Sequence, residues 1–307
     1  MELDVMIEGQ EGVTWPQWQA LARACEEHGI PALFRSDHYL PLNGSEERPV
    51  LDAWGTICAL AATTTTLRLG TLVSPATFRH PSEYAKLVAT ADQISGGRIE
   101  AGLGAGWHED EHAAFGFPYA RLGTRMDVFA EQLAIVRGLW ENGEFTHKGD
   151  RYTLVGVDPQ PKPVQKRMPL IVGGDAKPRS ARLAARYADE YNTPFATPDD
   201  VRERRAAVAA AWESEGRDPA TLRFSVMTGA ALGRDRAEVR EREQRLGAKM
   251  GHAGWSAPPQ WISGTLDEAA DQLRKLAAAG VDRVMLQLLL HDELDQIALV
   301  KELQRAL

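Results

Sequence analysis

A chain of 307 residues, 44% apolar and 25% charged, is long enough to bury a sizeable core without a disulfide or metal staple. Its net charge of −8 excludes a general nucleic-acid binder, which carries a basic stripe, and a polybasic membrane-surface protein. Cys25 and Cys58 are too few for a disulfide framework or a cysteine zinc site, and they read as buried free thiols of a cytoplasmic protein. No stretch reaches the roughly 18 apolar residues of a spanning helix. Residues Met1 to Glu8 alternate acidic and apolar side chains as a strand does, so no secretory leader is expected ahead of the fold.

The first predicted strand runs from Leu3 to Glu8, and a helix follows from Trp15 to His28, closed by Gly29 as a C-cap. Strand Ala32 to Arg35 leads into a loop rich in Pro, Gly and Glu, then a helix near Leu51 to Ala62. Strand Leu67 to Val73 comes next. Pro81, tolerated in a first turn, opens a helix to Ile94. Arg98 to Leu103 is the fourth strand, and Arg121 to Trp140 the helix after it. Glu144 to Val155 breaks the alternation as a β-hairpin turning about Lys148-Gly149-Asp150. Strand Leu170 to Val172, helix Ser180 to Tyr187, strand Glu190 to Asn192, helix Asp199 to Glu215 and strand Leu222 to Met227 resume it. About 35 residues then intervene, with a charge-laced helix Arg234 to Lys249 and a Gly/Pro/Trp loop Gly251 to Pro259. Helix Leu266 to Ala279, strand Arg283 to Gln287 and a last helix to Leu307 complete the order.

Eight strands alternating with eight principal helices need helical crossovers, and so a parallel sheet. At about 38 residues per unit, residues 1–307 make one α/β domain, a (β/α)8 TIM barrel with insertions after strands 4 and 7. An open doubly wound sheet is the alternative, disfavoured by eight units with no composition break. In a barrel, chemistry sits on the loops after the strand C-termini.

Glu8 and Gln10 end the first strand, either in a polar barrel mouth or as solvated turn residues. After the second, Asp37 beside His38 is placed to orient the imidazole and raise its basicity; the plainer reading is a turn cap beside a surface histidine. After the third, Leu72 and Val73 offer a wall for a flat ring, next to the hydroxyl of Ser74. Arg79 there is either an anion contact or a surface salt bridge. Gly102, Gly104 and Gly106, ahead of Trp107, expose backbone to a ligand or serve tight strand packing; their spacing lacks the dinucleotide fingerprint. His108-Glu109-Asp110-Glu111-His112 matches the zinc-protease H-E-x-x-H pattern, which needs a stable helix. Gly116 and Pro118 cut that helix short, so no metal is expected, and Glu109 or Glu111 is instead turned to the pocket. After the fifth strand, Gly173 and Gly174 offer backbone N–H groups to a phosphate, or form a plain glycine turn; Asp175 opposes an anion while Lys177 and Arg179 offset it.

On these strand ends the chain resembles the luciferase-like monooxygenase superfamily, specifically its coenzyme F420-dependent oxidoreductase branch. The resemblance rests on Leu33-Phe34-Arg35-Ser36-Asp37-His38-Tyr39, Leu69-Gly70-Thr71-Leu72-Val73-Ser74-Pro75 and Arg79-His80-Pro81. It continues through Ala91-Asp92-Gln93-Ile94-Ser95-Gly96-Gly97-Arg98, Gly102 to Trp107, Ile171-Val172-Gly173-Gly174 and Ala184 to Asp189, covering about residues 3 to 303. It implies a (deaza)flavin ring at the barrel mouth, against a bulge with a non-prolyl cis peptide that maps to Leu72–Val73. It also implies that Asp37 and His38 contact the ring and move a proton, that Gly173 and Gly174 approach the phosphate side, and that Glu109 or Glu111 is an acidic site residue. Asp175 departs from the glycine usual there. The catalytic candidates are therefore His38, Asp37, Glu109 and Glu111. The cofactor-binding candidates are Glu8, Leu72, Val73, Ser74, Arg79, Gly104, Gly106, Trp107, Gly173 and Gly174.

The implied activity is hydride transfer between coenzyme F420 and an unidentified small molecule, by a cytoplasmic homodimer with neither nucleic acid nor membrane as partner. The alternative on the same fold is an FMN-dependent monooxygenase fed by a flavin reductase. A zinc hydrolase using His108 and His112, and a non-catalytic flavin-binding relative, complete the field. The Gly251 to Pro259 loop, with Trp255 and Trp261 beside it, is a candidate lid or substrate wall, or else a disordered or dimer-facing loop.

Overall fold

Eight parallel strands close into a barrel in the computed structural model, which describes residues 1–42, 48–252 and 254–307. Residues 43–47, within the loop predicted to be rich in Pro, Gly and Glu, and Ala253, in the predicted Gly/Pro/Trp loop, lie outside the described residues. The first half runs β1 (Glu2–Ile7), α1 (Trp15–His28), β2 (Ala32–Arg35), α2 (Ala53–Thr63), β3 (Arg68–Thr71), β4 (Ser74–Pro75), α3 (Pro81–Ser95), β5 (Ile99–Gly104), α4 (Glu109–Phe115) and α5 (Leu122–Trp140). A hairpin of β6 (Phe145–Lys148) and β7 (Thr153–Val157) follows. The second half runs β8 (Leu170–Gly173), α6 (Pro178–Tyr187), β9 (Glu190–Pro194), α7 (Pro198–Ser214), β10 (Arg223–Gly233), α8 (Arg236–Lys249), β11 (Ile262–Thr265), α9 (Leu266–Ala278), β12 (Arg283–Gln287) and α10 (Asp295–Ala306).

Closure follows the order β12, β1, β2, β3, β5, β8, β9, β10 and back to β12, with every pairing parallel. Leu3 pairs with Val284, Val5 with Leu33, Leu33 with Leu69 and Leu69 with Ile99, so apolar rows run across the sheet. Those rows pack outward against the helices. Met6, Phe34, Ile171 and Met285 form a second apolar cluster with Leu72. The helices start and stop where chain chemistry requires. Thr14 and Gln17 make a capping box for α1, and Gly29, at φ 63°, turns the chain out of it. His80 caps α3 just ahead of Pro81, and Gly96 closes it in the same left-handed conformation.

At the N-terminal end of the barrel, charge is buried. Arg283 donates to Glu100 at 2.7 Å and to Glu190 at 3.1 Å, and stands 3.5 Å from Asp4. Burial holds the Asp4 carboxyl well above the usual range, more than Arg283 can offset. Glu100, although buried, is brought down to about 2 by Arg283 and Arg68. This plug leaves the opposite, C-terminal mouth as the place for a ligand.

Two expectations needed correction and a third held. The third strand does not run unbroken to Val73; it stops at Thr71, and the cis peptide Leu72–Val73 separates it from β4. β10 runs six residues past Met227, because Ala230 to Gly233 pairs with β11, a strand that was not expected. The α4 helix is as short as Gly116 implied, with that glycine at φ 70° as its cap.

Candidate active site

A cavity of about 1000 Å³ opens at the C-terminal mouth. Glu8, His38, Leu72, Val73, Gly104, Gly106, Trp107, Gly173 and Gly174 all line it, so nine of the fourteen expected site residues meet there. Leu72 and Val73 stand on the bulge between β3 and β4, and Gly102 and Gly104 on β5 leave room for the Val73 side chain. A Cβ on Gly104 would come within 2.8 Å of Val73 Cγ2. Gly106, at φ 79°, carries the chain into Trp107, whose indole packs edge-on to His38 at 5.7 Å.

The partner of His38 is not Asp37. His38 Nδ1 lies 3.0 Å from Glu111 Oε2, with 11% and 1% of the two side chains exposed. Glu111 Oε1 accepts the backbone N–H groups of Tyr39 and Leu40. Burial would lower the imidazole pKa, but the Glu111 hydrogen bond and charge, helped by Glu8 and Asp37, hold it above the ordinary value. Burial likewise opposes the charge on Glu111, yet His38 and the two N–H groups hold that carboxyl below its usual range. No described residue hydrogen-bonds His38 Nε2, the nitrogen left to the pocket.

Asp37 faces the other way. Its Oδ2 accepts from Ser74 and from Arg79 Nη1, each at 2.5 Å, behind the bulge. Asp37 therefore positions the backbone under the bulge instead of orienting His38. Ser74 is wholly buried and also accepts from Trp54 Nε1 at 3.0 Å, so its hydroxyl is spent away from the cavity. Arg79 is committed to Asp37 and Asp52 and does not meet an anion in the cavity. Glu109 lies exposed on the first turn of α4, and Glu111 is buried behind His38; neither lines the cavity itself.

The H-E-x-x-H histidines are occupied separately. His108 Nδ1 accepts from the Glu111 N–H at 3.1 Å. His112 is buried, with Nδ1 2.6 Å from the His108 carbonyl and Nε2 2.6 Å from Thr77 Oγ1. Among the described residues no cluster of three or more His, Cys, Asp or Glu side chains is spaced to hold a metal ion.

On the far rim, Gly174 donates its N–H to Asn192 O at 3.0 Å and Ala176 donates to the Tyr191 hydroxyl at 2.8 Å. Those two backbone donors are turned into the fold, so neither is free for a phosphate. Arg179 pairs with Asp127, Asp175 lies 3.6 Å from Arg204, and Lys177 lines the cavity.

Glu8 is held firmly: Gln10 Nε2 donates to it at 2.7 Å and Gln287 Nε2 to its other oxygen. Sequence reasoning missed Gln287, Asn192, Glu11 and Lys249, all of which line the cavity. Gln287 ends β12, and Asn192 ends the strand the sequence predicted there, the signal that could have found them. Trp261, only 8% exposed, is a wall of the cavity, with Trp255 packed edge-on against it at 5.0 Å.

Comparison with known proteins gives the family and the fold. The family described as luciferase-like monooxygenase matches residues 2–300, and the chain belongs to it. An F420-dependent hydroxymycolic acid dehydrogenase of Mycobacterium tuberculosis is 29% identical over 224 residues, covering 72% of this chain and 60% of that protein. An FMNH(2)-dependent dimethylsulfone monooxygenase of Pseudomonas putida is 31% identical over 156 residues, 48% of this chain and 43% of that one. A solved F420-dependent secondary alcohol dehydrogenase, in complex with an F420-acetone adduct, superimposes with a TM-score of 0.83 at 21% identity. It covers 100% of this chain and 99% of its own, which establishes the (β/α)8 fold. Family membership supports an oxidoreductase. No helix among the described residues is long and apolar enough to cross a membrane.

Proposed function

We propose that the chain is an oxidoreductase transferring a hydride between coenzyme F420 and a small organic substrate at the barrel mouth. The observation that carries this reading is His38 on the cavity wall, held from behind by buried Glu111. Hydride exchange at a carbon–oxygen centre needs a partner for the hydroxyl proton, and a buried imidazole held by a carboxylate is one.

The residues fit the cofactor. Leu72 and Val73 give an apolar wall, Gly104, Gly106 and Gly173 add no side chain facing it, and Lys177 offers positive charge at the rim. About 1000 Å³ accommodates a tricyclic ring together with a substrate. Bound there, the deazaflavin supplies hydride exchange, chemistry that no side chain offers. His38 Nε2 takes the hydroxyl proton when an alcohol is oxidised and returns it when a carbonyl is reduced. Glu111 stabilises the imidazolium through Nδ1 and fixes the ring plane. Trp107 packs against the same ring at the rim.

The FMN-dependent monooxygenase reading draws on the dimethylsulfone monooxygenase relative, and a partner reductase belongs only to that reading. The test is turnover of F420 against a panel of secondary alcohols and ketones, followed by loss of deazaflavin absorbance. His38→Asn is expected to bind F420 as the wild type does while losing about a hundredfold in rate, the usual size of a general-base contribution. Unchanged turnover by that variant would remove the proposed role.

A further inference from the structure

The cavity has a second half that the proton chemistry does not use. Met227 at β10, Leu289 after β12, Trp261, and Leu246 and Met250 at the end of α8 give it an apolar wall. Three charged side chains open into it: Glu8, Glu11 and Lys249. Both Glu8 oxygens accept amide hydrogens, from Gln10 and Gln287. Both Glu11 oxygens are likewise taken, by the Leu42 N–H at 2.9 Å and by Arg48.

Lys249 is different. Among the described residues no carboxylate oxygen forms an ion pair with its ammonium, and its neighbour is His291 Nδ1 at 3.3 Å. Burial, reinforced by the Lys249 charge, pushes the His291 imidazole down to about 4, so at neutral pH the ring accepts one ammonium hydrogen. Burial also lowers Lys249 and Arg48 adds to it, while the charges of Asp292 and Glu11 oppose both. Two N–H donors of a half-buried cation are left toward the cavity.

We infer that Lys249 anchors the substrate, and that the substrate is a monoanion with an apolar body, its carboxylate on Lys249 and its hydrocarbon part against Met227, Trp261 and Leu289. This assignment rests on the reading that the half of the cavity beside Leu72 and Val73 holds the cofactor. A partly desolvated ammonium gains most from a charge-assisted hydrogen bond, and one carboxylate matches one ammonium. The second charge of a phosphate ester would face Glu8, Glu11 and Asp292 with no further unpaired cation on this side among the described residues. The apolar wall takes the remainder of the molecule, as burial of hydrocarbon favours.

The experiment is calorimetric titration of the purified protein with octanoate, octanamide and octyl phosphate, for the wild type, Lys249→Met and Lys249→Arg. Wild type is expected to bind octanoate at least about tenfold tighter than octanamide, the equivalent of one charge-assisted bond. Lys249→Met should erase that preference while leaving octanamide binding as it was, and Lys249→Arg should keep it. Should Lys249→Met fail to fold, the arginine variant and the octanoate-to-octanamide ratio of the wild type still decide. Equal binding of octanoate and octanamide, no octanoate binding, a preference that survives in Lys249→Met, or octyl phosphate binding tighter than octanoate each overturns the assignment. A separate titration with F420 tells the two readings apart: absent F420 binding defeats the cofactor reading, while the octanoate preference reports on Lys249 alone.

Discussion

Replacing Glu111 by glutamine perturbs the site at one atom. Glu111 Oε1 is held by the backbone N–H groups of Tyr39 and Leu40, which accept no substitute for an oxygen. The glutamine carbonyl must stay there, so its NH2 group faces His38 Nδ1 in place of Oε2. An NH2 group only donates, so Nδ1 becomes an acceptor and the ring proton moves to Nε2. The nitrogen facing the cavity can then no longer take a proton. The wild-type imidazole also loses a charge-assisted hydrogen bond, worth about 1.5–3 kcal/mol between groups this buried, or roughly 10- to 150-fold in proton affinity. With burial then opposed only by the charges of Glu8 and Asp37, the His38 pKa should fall. The assay needs no substrate: the imidazole C–H resonances are followed by NMR against pH, with His38 assigned from its absence in His38→Asn. Glu111→Asp should give an intermediate result. A His38 titration that Glu111→Gln leaves in place would falsify the pairing and the proton role built on it.

Further outcomes follow from the fold. Glu26 accepts the N–H groups of Thr65, Thr66 and Leu67, which outweigh its burial and bring its carboxyl down to about 2. A depressed carboxyl stabilises above its unfolded pKa and loses that contribution as pH falls toward 2. Glu26→Gln should therefore cost about 1 kcal/mol at pH 7, discounted for exposure, and converge with wild type in acid melts. Gly102→Ala places a Cβ against the Thr71 carbonyl and 2.9 Å from Val73 Cγ1. It should destabilise by about 1–3 kcal/mol in urea titration and weaken cofactor binding by displacing the bulge; a silent variant would mean the bulge yields freely. Arg283→Met leaves Asp4 buried with no cation beside it, and Glu100 and Glu190 with only Arg68 and Arg223. A loss of about 3–5 kcal/mol at pH 7 is expected, shrinking in acid as the carboxylates protonate, with F420 binding at the other end of the barrel retained.

The barrel was legible because its punctuation is local. Gly29, Pro81 and Gly96 end or begin helices for reasons carried by single residues, and α1, β2 and β12 fall where periodicity put them. β11 was not legible, since four residues containing Gly264 carry little pattern, and its pairing is what carries β10 on through Ala230 to Gly233. Neighbourhood in sequence misled at the site. Asp37 and His38 follow β2 in irregular backbone, and their side chains part: Asp37 binds Ser74 and Arg79 behind the bulge while His38 lines the cavity. The partner of His38 comes instead from the first turn of α4, 73 positions along the chain. Lys249 was hidden because α8 reads as a uniformly charged surface helix, and only its packing against the cavity singles out one lysine.

The most direct measurement is equilibrium titration of the purified protein with F420 and with FMN, followed by quenching of cofactor fluorescence. Saturable binding of one F420 per chain is predicted, at least about tenfold tighter than FMN and weakened when Lys177 is replaced by alanine. Tighter binding of FMN, or no saturable binding of F420, would contradict the account.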